Sequence, residues 1–163
     1  MARPRVLVTG ATGFVGQSLV RQALHADWEV LALVYPGDKE ATNLGQNAAG
    51  KVAHLHLLEG SITNIEGWQR EAAAFRPEAC VHLAWTTTPG SYLDTPENLV
   101  WLSASNDLYA RLPQWGVKHV VGAGTCAEYD AEHGYLREPT PTRPETLYAA
   151  SKLATRLIGR QLA

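Results

Sequence analysis

A glycine-rich loop lies between a short apolar segment and a helix-like segment near the start of the sequence. The apolar segment, Arg5 to Thr9, reads RVLVT and is followed by Gly10, Gly13 and Gly16 in the pattern G-x-x-G-x-x-G. Gly10 allows a tight turn after a strand, and Gly13 lets a ligand approach the backbone where a helix begins. Gly16 lets that helix pack closely against the strand. This order of strand, loop and helix predicts an α/β fold whose loop binds the pyrophosphate of a dinucleotide.

Strand-like apolar runs alternate with helix-like segments along the whole chain. The predicted strands are 5–9, 29–34, 52–58, 79–84 and 118–122, and the predicted helices are 14–26, 65–75, 96–114 and 145–162. Short continuous apolar runs are typical of strands buried in a parallel sheet. The alternation predicts a Rossmann-like, doubly wound parallel sheet of about five strands with helices on both faces. The longest irregular segments, 86–95 and 126–144, follow the carboxyl ends of strands, where such sheets bind ligands.

The composition excludes several classes of protein. Of the 163 residues, 45% are hydrophobic and 18% are charged, which indicates one globular domain. A net charge of -2 gives no electrostatic surface for nucleic acid or anionic membrane. Cys80 and Cys126 form no redox or zinc motif, and the histidines lack metal-ligand spacing, so we predict no metal. Because no segment resembles a signal peptide or a membrane span, the chain is predicted to be cytoplasmic.

Tyr148 and Lys152 form a Y-x-x-x-K pair in the last predicted helix. Residues four apart share one face of a helix, so the lysine ammonium can lower the pKa of the phenol. The phenol can then exchange a proton with a substrate hydroxyl or carbonyl. Thr125 follows the fifth predicted strand, and its hydroxyl is a candidate for polarising that carbonyl. Taken alone, these residues are also typical of a solvated helix and a turn.

The glycine loop and the Y-x-x-x-K pair together resemble the extended short-chain dehydrogenase/reductase family, which includes nucleotide-sugar epimerases, dehydratases and reductases. The strings VLVTGATGFVG, VHLAW and GTCAEY resemble family segments at the ends of the first, fourth and fifth strands. The resemblance implies a catalytic triad of Thr125, Tyr148 and Lys152. It also implies that NAD or NADP contacts Tyr148, Lys152 and residues at the strand ends, namely Gly10, Thr12, Gly13, Phe14, Val15, Gly16, Tyr35, Ser61, Ile62, Leu83, Ala84 and Trp85.

Departures from the family pattern narrow the expected chemistry and cofactor. Cys126 and Ala127 stand where nucleotide-sugar 4,6-dehydratases carry an acidic pair, which argues against dehydration. The second predicted strand ends at Val34 and Tyr35 without the acid that holds the adenosine ribose of NAD. We therefore expect NAD or NADP, with a slight preference for NADP.

Three further positions depart from the family or extend it. Ser61 stands where the family often has an aspartate, so one acceptor for the adenine amino group is lost. Val100 stands at the position of the family's helix asparagine, with Asn98 and Asn106 nearby. Glu128, close to the expected triad, is a candidate for contacting the substrate.

The resemblance extends from residue 6 to residue 163 but covers only about the first half of a usual family member. We therefore expect residues 1–163 to be the NAD(P)-binding domain without the family's C-terminal substrate domain. The expected activity is that of an epimerase or reductase acting on a nucleotide sugar or a related carbonyl or hydroxyl compound. The resemblance also implies a homodimer formed through the helices predicted at 96–114 and 145–162. Two alternatives stay open: a cofactor-binding module without catalysis, and a purely structural α/β domain.

Overall fold

The chain folds around one sheet of parallel strands. The computed structural model describes residues 3–44, 46 and 51–162, so residues 1, 2, 45, 47–50 and 163 of the predicted domain lie outside the described residues. The strands are β1 (Arg5–Thr9), β2 (Glu29–Val34), β3 (Leu55–Glu59), β4 (Ala79–His82) and β5 (His119–Gly122). They pair in parallel in the order β3-β2-β1-β4-β5. The predicted five-stranded parallel sheet is therefore confirmed.

Helices cover both faces of the sheet. The α-helices are α1 (Phe14–His25), α2 (Gln69–Phe75), α3 (Glu97–Arg111) and α4 (Leu147–Leu162). Because alternate residues of a strand point to opposite faces, each strand contributes to two core layers. The layer that contains α3 and the α2 region includes Leu7, Leu31, Cys80, Trp68 and Leu108, and the layer that contains α1 includes Val8, Val30, Ala32, Val20 and Leu24. Within the described residues, no helix is long and apolar enough to cross a bilayer.

Most predicted elements begin or end within two residues of their observed bounds, and three differ by three residues or more. The strand predicted from residue 52 begins at Leu55, because Val52–His54 forms a 3-10 turn. The helix predicted at 65–75 is a 3-10 segment, Ile62–Gly67, followed by α2, and the interruption coincides with Trp68, whose φ of -140° is not helical. The helix predicted at 96–114 ends as α3 at Arg111, and Leu112–Trp115 continues it as a 3-10 turn. Pro113 explains that change, because proline lacks the N–H that an α-helix needs.

The carboxyl ends of four strands meet at one edge of the sheet. Thr9 of β1 is in register with Leu33 of β2 and His82 of β4, and His82 is in register with Gly122 of β5. The loops that leave these strands therefore emerge side by side. This edge carries the groove and the side chains described next.

Candidate active site

A groove of about 490 Å³ lies at the carboxyl edge of the sheet. Every residue predicted to contact the cofactor lines this groove, apart from Tyr148 and Lys152. Sequence reasoning did not assign five further lining residues, Leu33, Gly60, Thr87, Trp101 and Ala123. Leu33, Gly60 and Ala123 adjoin predicted strand ends, so their position along the chain could have indicated them. The structure therefore brings the glycine loop together with the ends of β2, β3 and β4.

The glycine loop is held close to the end of β4. Gly10 has a φ of +67°, which favours glycine, and a Cβ there would lie 2.8 Å from the backbone nitrogen of Ala84. A Cβ on Gly16 would overlap the carbonyl oxygen of Gly10, so the first turn of α1 packs directly on the loop. Helix α1 begins at Phe14 after Gly13, and no side chain caps its first N–H groups. Those N–H groups and the positive end of the helix dipole suit an anionic ligand.

Polar side chains at the end of the groove formed by the loops after β2 and β3 are hydrogen-bonded to their own loops. Tyr35 follows β2, lines the groove and is 64% exposed. The carboxylate of Asp38 accepts a hydrogen bond from the backbone N–H of Glu40 at 2.9 Å. The hydroxyl of Ser61 accepts one from the backbone N–H of Thr63 at 3.2 Å. In the described residues of this loop, no acid lines the groove beside Tyr35.

His82 ties the end of β4 to β1 and α3. It is 2% exposed, with Nδ1 at 2.7 Å from the Thr9 hydroxyl and Nε2 at 3.0 Å from the Ser105 hydroxyl. The Thr9 hydroxyl also accepts a hydrogen bond from the backbone N–H of Ala84. Burial, together with the nearby positive charge of Lys152, lowers the pKa of His82 to about 3. The imidazole is therefore a neutral structural group that fixes the strand ends.

Thr125 begins a 3-10 turn, Cys126–Glu128, just after β5. The Thr125 hydroxyl accepts a hydrogen bond from the backbone N–H of Ala127 at 3.3 Å. In return, Oε1 of Glu128 accepts one from the backbone N–H of Thr125 at 2.9 Å, which completes a capping box. Glu128 is 1% exposed, and its Oε2 accepts a hydrogen bond from Nε of Arg156 at 2.7 Å. The expectation that Glu128 contacts a substrate is therefore wrong, because both carboxylate oxygens are used inside the fold.

Tyr148 lies in the first turn of α4 and is half-buried. Its backbone N–H donates to the carbonyl of Leu93 at 2.8 Å, and its ring meets that of Tyr92 edge to face at 5.0 Å. Burial raises the pKa of the Tyr148 phenol, although a hydrogen bond with the Thr125 hydroxyl acts in the opposite direction. The Thr125 hydroxyl is therefore close enough to the Tyr148 phenol to influence its pKa, and the catalytic role of the two groups stays a prediction.

Lys152 lies one helical turn after Tyr148 and is only 6% exposed. Burial lowers the pKa of its ammonium to about 8, while the negative charge of Glu128 opposes this change. Its Nζ lies 4.4 Å from the centroid of the Trp85 ring, a distance typical of a cation–π contact. Lys152 lines a second groove of about 710 Å³ between α4 and β5, whereas Trp85 lines the first. Trp85 therefore forms a wall between the first groove and the Lys152 ammonium.

Asn98 holds Trp85 in this place. The Asn98 side chain is fully buried, its Oδ1 accepts a hydrogen bond from Nε1 of Trp85 at 2.9 Å, and its Nδ2 donates to the carbonyls of Tyr92 and Thr95. Val100, the position that matches the family asparagine by count, is 55% exposed. Of the nearby asparagines that the sequence offered, Asn98 is the one that contacts a residue of the groove, whereas the count along the sequence pointed to Val100. In the described part of the chain, no three His, Cys, Asp or Glu side chains are grouped to hold a metal ion.

Comparison with known proteins identifies relatives over nearly the whole chain. The model of the NAD dependent epimerase/dehydratase family matches residues 6–163. The chain is 29% identical over 157 residues to the UDP-glucose 4-epimerase of Azospirillum brasilense. This alignment covers 94% of this chain and 43% of that protein. It is 23% identical over 147 residues to dTDP-6-deoxy-L-talose 4-dehydrogenase (NAD(+)) of Aggregatibacter actinomycetemcomitans, which covers 90% of this chain and 51% of that protein.

A solved structure supports the same fold. The Bordetella bronchiseptica enzyme WbmG, crystallised in complex with NAD and UDP, matches with a TM-score of 0.79 at 24% identity. The match covers 98% of this chain and 50% of the WbmG chain. The chain thus spans about half the length of the relatives it matches.

Proposed function

Because the chain belongs to the NAD-dependent epimerase/dehydratase family, we propose that it forms the cofactor-binding part of an epimerase or reductase that acts on a nucleotide sugar. One observation carries this proposal: Trp85, which lines the groove at the carboxyl edge of the sheet, contacts the Tyr148 ring at 6.4 Å and the Lys152 ammonium at 4.4 Å, so the Y-x-x-x-K pair lies directly behind the groove. The relatives named above, an epimerase and a 4-dehydrogenase of nucleotide sugars, support the substrate class. Cys126 and Ala127, in place of an acidic pair, favour epimerisation or reduction over dehydration.

In this proposal Tyr148 is the general acid or base and Thr125 aligns the oxygen that exchanges the proton. The Thr125 hydroxyl is held by the capping box, so it is oriented before a substrate arrives. With a pKa of about 8, the Lys152 ammonium remains mostly protonated at neutral pH, so its positive charge is available to a cofactor or substrate that binds beside Tyr148. General acid–base catalysis of this kind contributes about 10²–10⁴-fold to a rate.

We propose that the first groove holds NAD. The glycine loop and the free N–H groups of α1 fit a pyrophosphate, and the chain of apolar residues along the groove fits an adenine ring. A bound nicotinamide cofactor supplies hydride chemistry, which the side chains of the protein lack. WbmG was crystallised with NAD and the matching 4-dehydrogenase is named for NAD(+), so the relatives favour NAD. The preference for NADP drawn from the missing acid at Tyr35 finds no support in them.

The domain boundary and the dimer are parts of the same proposal. Residues 1–163 would be the cofactor-binding domain, and the relatives' additional length would carry the rest of a substrate pocket. A homodimer through α3 and α4 is supported by apolar side chains on both helices that are at least 40% exposed, namely Leu99, Val100, Leu157, Ile158 and Leu162. Burying such side chains between two copies would stabilise an interface.

A second candidate function is cofactor binding without catalysis. Trp85 separates the first groove from Lys152, and neither Thr125 nor Tyr148 lines that groove. If Trp85 stays in place when the cofactor binds, the reacting groups cannot meet. The two functions differ in one measurable respect, which is turnover in the presence of bound cofactor.

Two measurements on the purified chain separate these functions. Titration with NADH and with NADPH, followed by nicotinamide fluorescence, is expected to give micromolar binding of NADH and weaker binding of NADPH. Absence of any binding would contradict both functions. The second measurement is turnover in two forms: conversion of UDP-glucose to its C4 epimer in the presence of NAD, and oxidation of NADH with a 4-keto dTDP-sugar as the probe substrate. Bound cofactor with no turnover of any probe would favour the non-catalytic module.

Tyr148→Phe tests the catalytic role. We expect this variant to lose about 10²-fold or more of the turnover while it binds NADH as before, because only the acid–base group is removed. Tyr135→Phe is the matched control, since Tyr135 is 80% exposed and lies outside both grooves. Equal turnover in the two variants would refute the role of Tyr148.

A further inference from the structure

We propose that the Glu128–Arg156 ion pair is a positioning device, which holds the Thr125 turn against α4 and thereby sets the arrangement of Thr125, Tyr148 and Lys152. The inference rests on the proposed function, because it concerns the same site. Neither residue belongs to the triad, and Glu128 and Arg156 are 28 residues apart in the sequence. They are positioning residues: Glu128 binds the backbone N–H of Thr125, and its negative charge acts on Tyr148 and Lys152 without a direct contact.

Glu128 links the turn to the helix with both carboxylate oxygens. Oε1 accepts the hydrogen bond from the backbone N–H of Thr125 at 2.9 Å, and Oε2 accepts the one from Nε of Arg156 at 2.7 Å. The carboxylate is 1% exposed, so water cannot replace either partner. The backbone carbonyl of Glu128 is also used, because it accepts a hydrogen bond from the N–H of Arg143 at 3.0 Å. A charged acceptor buried between two donors holds both of them firmly.

Arg156 joins this carboxylate to the part of α4 that carries the triad. It lies one helical turn after Lys152, and Tyr148 lies one turn before Lys152. The Arg156 side chain is only 25% exposed, and its guanidinium carbon lies 5.8 Å from the centroid of the Tyr129 ring. The ion pair therefore spans the interface between the Thr125 turn and α4 at the level of the triad.

The ion pair also sets the local electrostatic field. The negative charge of Glu128 raises the pKa of Lys152 and that of Tyr148, against the effect of burial on the lysine. The other groups that face these two side chains are Tyr92, Cys126, the buried His82 and the ring of Trp85. Glu128 is the only carboxylate among the described groups that act on these two side chains, and the positive charge of Arg156 neutralises part of its negative charge. Removing one member of the pair should therefore shift the pKa of Lys152 in a direction that depends on which member is removed.

The first test measures the pKa of Lys152 by NMR after reductive ¹³C-methylation of the lysines, with Lys152→Arg to assign the signal. Glu128→Gln keeps the shape of the side chain and an acceptor for the Thr125 N–H but removes the charge, so the pKa of Lys152 is expected to fall. Arg156→Gln removes a positive charge and leaves Glu128 unneutralised, so the pKa of Lys152 is expected to rise. A merely structural pair would loosen the site in both variants, and entry of water would raise the pKa in both.

The second test measures hydrogen exchange of the Thr125 amide. We expect about tenfold faster exchange in Arg156→Gln, because the carboxylate that accepts from this N–H is no longer held. Arg156→Lys restores a cation at the same place and should recover most of the protection. The matched control is Glu132→Gln, since Glu132 forms an exposed ion pair with Arg143 at 2.9 Å on the same loop. This control should change neither the pKa of Lys152 nor the exchange.

The two tests use neither cofactor nor turnover, so their outcome is independent of whether the chain is an enzyme. A rise of the Lys152 pKa in Glu128→Gln, or unchanged Thr125 exchange in Arg156→Gln, would overturn the positioning role. If the proposed function is wrong, NADH binding or turnover will be absent, while the opposite shifts of the Lys152 pKa and the faster Thr125 exchange will still be seen. If Glu128→Gln does not fold, the Thr125 exchange decides the question: faster exchange in Arg156→Gln that Arg156→Lys restores supports the positioning role, and unchanged exchange overturns it.

Discussion

The stability of the chain should fall between pH 6.5 and pH 5 because His82 cannot be protonated in the folded state. The imidazole is 2% exposed, and both of its nitrogens are engaged with the hydroxyls of Thr9 and Ser105. Burial, and secondarily the charge of Lys152, lowers its pKa from 6.5 to about 3. In the unfolded chain the same imidazole takes up a proton near pH 6.5.

The sign and size of the effect follow from linkage. Below pH 6.5 the His82 imidazole is protonated in the unfolded chain but stays neutral in the folded chain. The free energy of unfolding therefore decreases as the pH falls towards the folded pKa of about 3. The decrease approaches ~1.4 kcal/mol per pH unit for one group once the pH is below 6.5, which gives about 2 kcal/mol between pH 7 and pH 5. Against a typical domain stability of about 5–15 kcal/mol, a change of this size is readily measured.

Urea denaturation followed by tryptophan fluorescence at pH 7, 6 and 5 measures the effect. In His82→Gln the decrease between pH 7 and pH 5 should be smaller than in the unmodified chain by about 2 kcal/mol. His133→Gln is the matched control, since His133 is exposed. Carboxylates contribute to the pH dependence of all three proteins alike, so the comparison isolates the imidazole. An equal decrease in His82→Gln and His133→Gln would refute the assignment of the pH effect to His82.

Two further substitutions test the packing around the groove. Asn98→Ala removes a fully buried amide with three hydrogen bonds and leaves its partners unsatisfied. Urea denaturation should therefore show a loss of about 3 kcal/mol in the free energy of unfolding. Gln114→Ala is the control and should change it little, because Gln114 is exposed. Gly10→Ala should weaken NADH binding in the fluorescence titration by tenfold or more, because its Cβ would meet the Ala84 backbone at 2.8 Å. Gly37→Ala has a similarly positive φ of +76° but open space around the Cβ, so only strain should affect it, and equal NADH binding in the two variants would argue against the close approach.

Local sequence patterns were sufficient for the sheet and for the first groove. Apolar runs such as Arg5–Thr9 and Glu29–Val34 are buried because each lies between two neighbouring strands, and a short-range pattern reports that burial directly. Parallel strands then bring their carboxyl ends to one edge, so Tyr35, Ser61 and Trp85 line one groove although they are distant in the sequence.

Contacts between distant side chains could not be predicted in this way. Glu128 follows Thr125 in a pattern typical of a capping box, but its second partner, Arg156, is set by how α4 docks on the turn. The hydrogen bond between Trp85 and Asn98 likewise depends on the path of the loop between β4 and α3. Even the start of β3 depended on such context, since Val52 is apolar yet 52% exposed in a 3-10 turn.

The direction of the pKa changes at Tyr148 and Lys152 bears on the acid–base role proposed for them. Burial raises the pKa of the Tyr148 phenol and lowers that of the Lys152 ammonium, so it favours the neutral form of both groups. A protonated phenol is an acid that can donate to a substrate oxygen, whereas removal of a proton from a hydroxyl requires the phenolate. Glu128 makes the phenolate still less favourable, while it keeps the lysine charged. Any positive charge that comes to rest beside Tyr148 would offset these effects, so the balance between acid and base depends on what occupies the groove.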